Sequence, residues 1–540
     1  MIRSVREGMA RIVTAATDRR AGRALAGLTV DYTGTLINVG LSFVITPLFL
    51  RLLSPVMYGF WIAAAQILFF LNLMDAGASL YLLKGIAAAR NERREEQIRP
   101  LVSTTFWTYS VLAVSTLLVG ALIGPHIADW FQVPAAESRD AAFAFGLSVV
   151  TAAIALVAVP TFYGVLLGYQ RIALANAIVA SVTSLGFLFG LSLLMWKANV
   201  VSLALGQFAA TVLGAALAIG FARRTCPELS IAPRYFKTDV MWRILGFSGY
   251  VQMAKVAFLA SSFSDGILLA IGLGPASVAV YALTQKLATS ATMFVSKVGA
   301  VVMPGFAELF AQSEQVRLQA VTLRLTRLTA RFSILCALLV LGLNGRFVSL
   351  WVGPAMFGGL WLSVFFAYAV LRNGIIRNLS SLFYASGHLR VWAWLSLGEA
   401  ISKVLLTLGL LPVLGLLAPV VATALSELLT GLYTPVGVAR LVGLPVSKLL
   451  GEGVVRPLVW SLPTAGVLGA AVWWVPVRWG WLGLPVIAAV TVVTNILTFD
   501  WEHVSGRWAG PFDVRRCRPS DEQVARSHTI YAISTQERRI

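Results

Sequence analysis

Two lysines interrupt an apolar stretch that is long enough to cross a membrane as a helix. Lys286 and Lys297 lie in the segment from Leu273 to Gln312, which has about 27 mostly apolar residues before Pro304. The lysines are eleven residues apart. That spacing is about three helical turns, which puts both on one face about 16 Å apart. Because an ionised ammonium facing lipid is costly, this face is predicted to line a polar cavity.

The second half of the chain places further charged residues inside apolar runs. Lys403 follows Glu399 by four residues, a spacing that favours an ion pair along one helix. Arg372 and Arg377 each fit cavity lining and helix anchoring equally, and Lys255 fits cavity lining and pairing with an acid of a neighbouring helix equally. Unpaired cations around a cavity would attract an anion, and diphosphate is suitable because each ammonium offers donors and a compact charge. The candidate anion-binding residues are Lys286, Lys297, Lys255, Arg377 and Arg372.

Two aspartates are candidates for binding a coupling ion. Asp75 and Asp265 fall in or near apolar runs, where a carboxylate could take a proton or Na⁺, although a structural ion pair is the simpler interpretation of each. The sequence shows no catalytic pattern, since its four histidines are scattered and it contains neither a phosphate-binding glycine loop nor HExxH. The three cysteines are too far apart in sequence to indicate a disulfide or a metal site. We therefore expect no enzyme activity, cofactor or metal.

The composition excludes a soluble globular protein. Hydrophobic residues make up 58% of the 540 positions, charged residues only 12%, and the mean hydropathy is +0.79. The net charge of +19 could suggest nucleic acid, but apolar runs separate the basic clusters. Anionic lipid headgroups and orientation in the membrane explain this charge better. The chain is predicted to be an all-α polytopic membrane protein.

Fourteen apolar runs of spanning length follow one another along the chain. They are continuously apolar, without the alternation of barrel strands, so helices are predicted. Their approximate positions are 28–50, 56–83, 101–124, 141–168, 172–195, 201–222, 242–271, 278–304, 329–351, 361–385, 392–412, 418–441, 454–474 and 480–499.

The distribution of basic residues predicts the orientation. If both termini face the cytoplasm, only five of the 43 Lys and Arg residues fall in outer loops, namely Arg51, Arg139, Lys197, Arg346 and Arg478. The predicted organisation is a basic amphipathic segment at 1–27, a first lobe of six helices at 28–222, a cytoplasmic linker and second lobe at 223–441, helices 13 and 14 at 442–499, and a basic cytoplasmic tail at 500–540.

Weak similarity between the halves indicates an internal duplication. A shift of 220 positions places Pro275 on Pro55 and Lys286 on Gln66. A shift of 219 places the segment 386–390, SGHLR, on 167–171, LGYQR. With six helices in each repeat, both halves enter the membrane in the same direction, so their symmetry axis is predicted to follow the membrane normal. Duplicated halves of this kind are typical of secondary transporters.

Several motifs resemble one family of membrane proteins. They are PLFLRLLSPVMYGFWIAAAQI at 47–67, LMDAGASLYLLKGIAAARN at 73–91, VYALTQKLATS at 280–290, VMPGFAEL at 302–309, LRNGIIRNLSSLFYASGHLRVW at 371–392 and ALSELLTGLYTPVG at 424–437. As a set, covering about residues 28–441, they resemble the oligosaccharide flippases of the polysaccharide biosynthesis family. The same superfamily holds the multidrug and toxic compound exporters and the lipid II flippases.

This resemblance implies two six-helix lobes around a cationic cavity. It also implies alternating access that moves a polyprenyl-diphosphate-linked oligosaccharide across the bacterial inner membrane, with a polysaccharide polymerase and glycosyltransferases as possible partners. Lipid II flippases carry important arginines in their first two helices, which this chain lacks, so the expected phosphate contacts shift to the second half. Two other hypotheses stay open, a drug/cation antiporter and a non-transporting scaffold of a polysaccharide synthesis complex.

Overall fold

All regular structure in the described part of the chain is helical. The computed structural model describes residues 19–71, 78–92, 94–246, 249–312 and 314–498. The predicted tail at 500–540 and most of the predicted segment at 1–27 lie outside these ranges. The first half contains α1 (Arg19–Leu52), α2 (Pro55–Leu71), α3 (Ala78–Asn91), α4 (Ile98–Ile123), α5 (Ile127–Trp130), α6 (Ala135–Ala158), α7 (Gly164–Gly168), α8 (Ile172–Trp196) and α9 (Val200–Thr225).

The second half begins after a short helix in the linker, α10 (Thr238–Gly246). The second lobe contains seven helices within the described residues, of which α16 and α17 together form one span: α11 (Gly249–Leu273), α12 (Pro275–Ala311), α13 (Gln315–Trp351), α14 (Leu360–Ser386), α15 (Arg390–Leu414), α16 (Ala418–Ser426) and α17 (Leu428–Val442). The last part contains α18 (Val446–Leu450), α19 (Arg456–Trp460), α20 (Leu462–Trp474) and α21 (Gly483–Leu497). The duplicated prolines Pro55 and Pro275 each begin a helix, where a missing backbone N–H costs nothing.

Eleven helical segments of the described chain are long and apolar enough to cross a membrane. One of them, Arg390–Val442, contains the two predicted spans formed by α15 and by α16 with α17. The predicted second and eighth spans correspond to α2 with α3 and to α12, so the helices are consistent with fourteen spans. The protein is therefore a multi-pass, all-helical membrane protein, as predicted.

Small residues allow close helix contacts in the first lobe. At the crossing of α8 and α9, a Cβ atom added to Gly206 would lie 2.2 Å from the backbone nitrogen of Gly190. Helix association in lipid depends on such close packing, because lipid tails are as apolar as the side chains. Pro160 has no N–H to give to the helix ladder, and the chain forms a π-helical turn there between α6 and α7.

The two lobes meet along the halves that the charge distribution predicts to be outer. Helix α2 packs against both α11 and α12. A Cβ atom added to Gly59 would lie 1.7 Å from the carbonyl oxygen of Pro275, so glycine is required for this approach. One buried apolar cluster includes Phe60 from the first lobe together with Tyr281 and Phe366 from the second. The predicted outer end is therefore closed by direct packing between the lobes.

The predicted cytoplasmic halves have separate cores. One cluster is formed within the first lobe, around Leu82, Ile86 and Leu166. Another is formed within the second, around Leu318 and Leu382. Neither of these clusters contains residues of both lobes, and we call the region between the lobes at this end the central cleft.

Candidate functional site

Lys286 lies where the two lobes meet at the closed end of the central cleft. Its Nζ donates a hydrogen bond to Ser42 Oγ of α1 at 2.6 Å and lies 5.9 Å from the centre of the Phe43 ring. The residue is half-buried. Among the described residues it has no carboxylate within 4.0 Å, so its charge is balanced only by a hydroxyl and an aromatic face. This ammonium is a polar anchor that an anion could use.

Further contacts join the lobes in their predicted outer halves. Gln66 Oε1 of α2 accepts a hydrogen bond from the backbone N–H of Gly266 at 2.8 Å. Gln132 Nε2 donates to the carbonyl oxygen of Ile271 at 2.7 Å, and Trp351 Nε1 donates to that of Phe43 at 2.7 Å. Phe69 stacks on Phe263 with ring centres 4.2 Å apart. These contacts must break if the outer end is to open.

Arg377 and Lys255 lie further towards the predicted cytoplasmic end. The Arg377 guanidinium carbon is 4.5 Å from the centre of the Phe258 ring of α11, and both residues are exposed. No carboxylate among the described side chains lies within ion-pair distance of Arg377. Lys255 is half-buried and lies eleven residues before Gly266, so it shares the α11 face that meets the first lobe near Gln66.

Two predicted site residues fall outside what the structure describes. Asp75 lies in the undescribed segment 72–77. Lys297 belongs to α12, but its side chain lies outside the described side chains. Their roles remain predictions.

Arg372 lies in a buried ion-pair cluster rather than on an exposed surface. Its Nη1 contacts Glu427 Oε1 at 3.0 Å, and its Nη2 lies 3.5 Å from Glu399 Oε2. Thr430 Oγ1 bridges Arg372 Nη2 and Glu399 Oε2 through two short hydrogen bonds. Only about an eighth of the Arg372 side chain is exposed (12%), and 5% of that of Glu427. The cluster joins α14, α15 and the junction of α16 with α17.

Asp265 also has a buried cationic partner. Lys403 Nζ lies 2.8 Å from Asp265 Oδ1, and Tyr281 O–H donates to Asp265 Oδ2 at 2.9 Å. Lys403 also donates to the carbonyl oxygen of Ser261. The predicted pair between Glu399 and Lys403 is therefore wrong, because neighbouring helices offer each residue a different partner.

The structure thus separates the predicted site residues into two groups. Lys286 lies at the junction of the lobes, Lys255 lies on the α11 face that meets the first lobe, and Arg377 is exposed beside Phe258 of α11, whereas Arg372 and Asp265 are buried within the second lobe. Tyr281 and Thr430 were not predicted to belong to either group, although a polar side chain inside an apolar run was the available signal. Among the described residues, no three His, Cys, Asp or Glu side chains gather in a way that could hold a metal ion.

The first part of the sequence matches a known protein family. A family model described as "Polysaccharide biosynthesis protein" matches residues 24–310, more than half of the sequence. The chain belongs to the polysaccharide biosynthesis protein family. This confirms the resemblance drawn from the sequence motifs. Among curated proteins, none matches the sequence.

Solved structures with the same fold are transporters. The "Lipid II flippase MurJ, inward closed conformation" is similar with a TM-score of 0.70 and 11% identity, over 88% of this chain and 99% of that one. An inward-facing multidrug resistance MATE family transporter of the MOP superfamily gives 0.63 and 14%, over 77% and 98%. The eukaryotic MATE transporter AtDTX14 gives 0.56 and 14%, over 83% and 100%. At these identities the likeness establishes the fold of this polysaccharide biosynthesis family member.

Proposed function

We propose that this protein moves a polyprenyl-diphosphate-linked oligosaccharide across the bacterial inner membrane by alternating access. In this proposal both termini face the cytoplasm, and the central cleft receives the lipid from the cytoplasmic leaflet. The transported glycan then serves the synthesis of a cell-surface polysaccharide, with a polymerase and glycosyltransferases as partners. The family of the chain and the charge of the cleft support this substrate class.

The observation that carries the proposal is the environment of Lys286. Its ammonium lies at the closed end of the cleft, and among the described residues its only polar side-chain partner is the Ser42 hydroxyl. A phosphate oxygen is a stronger acceptor than a neutral hydroxyl and would compete for the same donor. Because Ser42 belongs to the first lobe, such competition would loosen a contact that holds the lobes together.

Other cations extend this anchor towards the cytoplasmic leaflet. Arg377 is exposed and offers a planar donor set suited to phosphate, and Lys255 lies on the α11 face that meets the first lobe. Lys297, eleven residues after Lys286, is proposed to contribute a further ammonium on the same face of α12. Arg372 already has two carboxylate partners, so we assign it to positioning helices around the site rather than to binding phosphate.

A drug/cation antiporter is less well supported. An organic cation would require an accessible carboxylate, whereas Asp265, Glu399 and Glu427 of the second lobe are buried against cations. Lys286 and Arg377, whose side chains are described, instead offer positive charge. No contact among the described residues favours a scaffold role.

Reconstitution with a labelled lipid tests the proposal. The full chain in liposomes should speed the transfer of a fluorescent polyprenyl-diphosphate oligosaccharide between leaflets. Lys286→Ala should slow this transfer about 10-fold to 100-fold, since a hydrogen bond from a charged donor contributes about 1.5–3 kcal/mol. Lys197→Ala, which removes an exposed lysine from a predicted outer loop, is the matched control and should transfer lipid at the wild-type rate.

Two results would contradict the proposal. One is equal transfer by wild-type protein, Lys286→Glu and protein-free liposomes. The other is tight binding of organic cations that polyprenyl diphosphates do not displace, which would favour the antiporter.

A further inference from the structure

Two buried ion-pair groups of the second lobe, Arg372 with its two glutamates and Lys403 with Asp265, lie one turn apart on α15, and together they form a buried cluster with more acids than bases. Glu399, Glu427 and Asp265 supply three carboxyl groups, whereas Arg372 and Lys403 supply two cations. All five side chains are at most 12% exposed. If every group were ionised, the cluster would carry one net negative charge inside the membrane, where an uncompensated charge is strongly disfavoured.

Glu427 has the carboxyl group that is least satisfied. Its Oε1 accepts from Arg372 Nη1, but its Oε2 is buried and has no hydrogen-bond partner among the described residues. Glu399, by contrast, is contacted through Oε2 by both Thr430 and Arg372. Asp265 accepts a hydrogen bond from Tyr281 through Oδ2, and its Oδ1, although it has no hydrogen bond, lies 2.8 Å from the Lys403 ammonium. The excess negative charge therefore falls on Glu427, where a proton on Oε2 would neutralise the cluster.

We propose that Glu427 is a proton-binding site and that its loading with a proton is coupled to movement of the lobes. The proton comes from water and returns to it, so the site changes between a neutral acid and a carboxylate with no other reactant. A metal ion fits this position less well than a proton. A guanidinium and an ammonium already neutralise two of the carboxylates. In addition, no three acidic, histidine or cysteine side chains of the described chain converge as metal ligands.

Each helix around Glu427 presents a group that responds to its charge. Helix α14 contributes Arg372 and Tyr368, with Asn373 Oδ1 3.5 Å from Arg372 Nη1. Helix α15 contributes Glu399 and Lys403, and α17 contributes Thr430. Asp265 on α11 and Tyr281 on α12 complete the charged surroundings. Loss of the proton would draw the two cations towards Glu427 and weaken their bonds to the other acids.

The cluster touches the two helices that join the lobes. Asp265 is followed in α11 by Gly266, whose N–H is bound by Gln66 of the first lobe. Tyr281 lies five residues before Lys286 in α12, whose ammonium binds Ser42 of the first lobe. A shift of Lys403 or Tyr281 away from Asp265 would therefore act directly on the backbone that holds the lobes closed.

Infrared difference spectroscopy of the full chain in lipid tests the proton site without any transported molecule. Wild-type protein should show the carbonyl band of a protonated carboxylic acid that disappears as the pH is raised. Glu427→Gln, which mimics the neutral acid in shape, should remain folded and lack this band. Glu452→Gln, at a partly exposed glutamate paired with Arg327, is the matched control and should retain it.

A second variant keeps the test decisive if Glu427→Gln does not fold. Glu399→Gln removes one negative charge beside Glu427, so the band should disappear at a lower pH than in wild type. A band that survives in Glu427→Gln, or keeps its midpoint in Glu399→Gln, would overturn the proposal. The role in transport rests on the proposed flippase function, but proton binding does not, so the two can fail separately.

Discussion

Lys403 and Asp265 form a buried ion pair, and its contribution to the stability of the protein depends on both partners. Lys403 is 3% exposed and Asp265 6%. Replacing Lys403 by Met would leave the Asp265 carboxylate without its cation in an apolar interior. Breaking a buried pair in this way costs about 3–5 kcal/mol. We expect Lys403→Met to lower the thermal unfolding temperature of the purified protein markedly.

Controls separate the lost ion pair from a general effect of the substitution. Lys448→Met changes an exposed lysine and should leave the unfolding temperature unchanged. The double variant Lys403→Met, Asp265→Asn removes both charges and should recover most of the loss, because no unpaired ion remains. If Lys403→Met unfolds at the same temperature as Lys448→Met, the pair does not stabilise the lobe.

The partners of single side chains could be predicted from the sequence only in part. Arg372, Lys403 and Asp265, which are charged residues inside apolar runs, are buried in ion pairs rather than exposed to lipid, where a charge is costly. The spacing of Glu399 and Lys403 favoured a pair within one helix, but packing brings Arg372 of α14 and Asp265 of α11 closer. Which acid meets which cation depends on how helices face one another, and helical periodicity does not specify this.

At the scale of the helices, an arginine from α13 binds the carbonyl groups at the end of α20. Arg346 Nη1 donates to the carbonyl oxygen of Val475 at 2.9 Å, and Nη2 donates to that of Val472. The last carbonyl groups of a helix have no partner within it, so these bonds satisfy groups that would otherwise be unpaired. The arginine also places positive charge at the negative end of the helix dipole.

We expect Arg346→Gln to loosen the end of α20 without unfolding the lobes. Each bond from a charged donor contributes about 1.5–3 kcal/mol, so amide hydrogen exchange should rise in the segment after Val472 and change little elsewhere. Arg139→Gln, at an exposed arginine of α6, is the control and should leave exchange in this segment unchanged. Unchanged exchange in Arg346→Gln would show that apolar packing alone holds α20.

The helices themselves were largely predictable, because continuous apolar runs specify both their type and their approximate positions. Their ends were less predictable. The eighth span was expected to end at Pro304, whereas α12 continues to Ala311. Helix α13 likewise extends over Gln315–Trp351, well beyond the run predicted at 329–351. Polar residues end an apolar run but need not end a helix, since they are good helix formers outside the membrane.

At the scale of the whole molecule, the duplication predicted two parallel lobes but not how they are tilted. Pro55 and Pro275 begin equivalent helices, as the shift of 220 positions indicated. The packing of the lobes at the predicted outer end and the separate cores at the predicted cytoplasmic end depend on contacts between distant residues, such as Gln66 with Gly266. The proposed transport cycle forms and breaks these contacts in turn, which requires a sequence compatible with more than one arrangement.

The approach of Gly59 to Pro275 offers a way to shift that equilibrium. A Cβ atom at position 59 would lie 1.7 Å from the Pro275 carbonyl oxygen, so α2 and α12 would have to separate. We expect Gly59→Ala, and more strongly Gly59→Leu, to hold the outer end open.

In a background with the native cysteines replaced, Met57→Cys should then react faster with a membrane-impermeant maleimide added outside, because Met57 is only 4% exposed when the end is closed. Gly40→Leu, where an added Cβ meets nothing within 4 Å, is the matched control and should label slowly. Equal labelling of correctly folded Gly59→Leu and Gly40→Leu would contradict this view of how the outer end is closed.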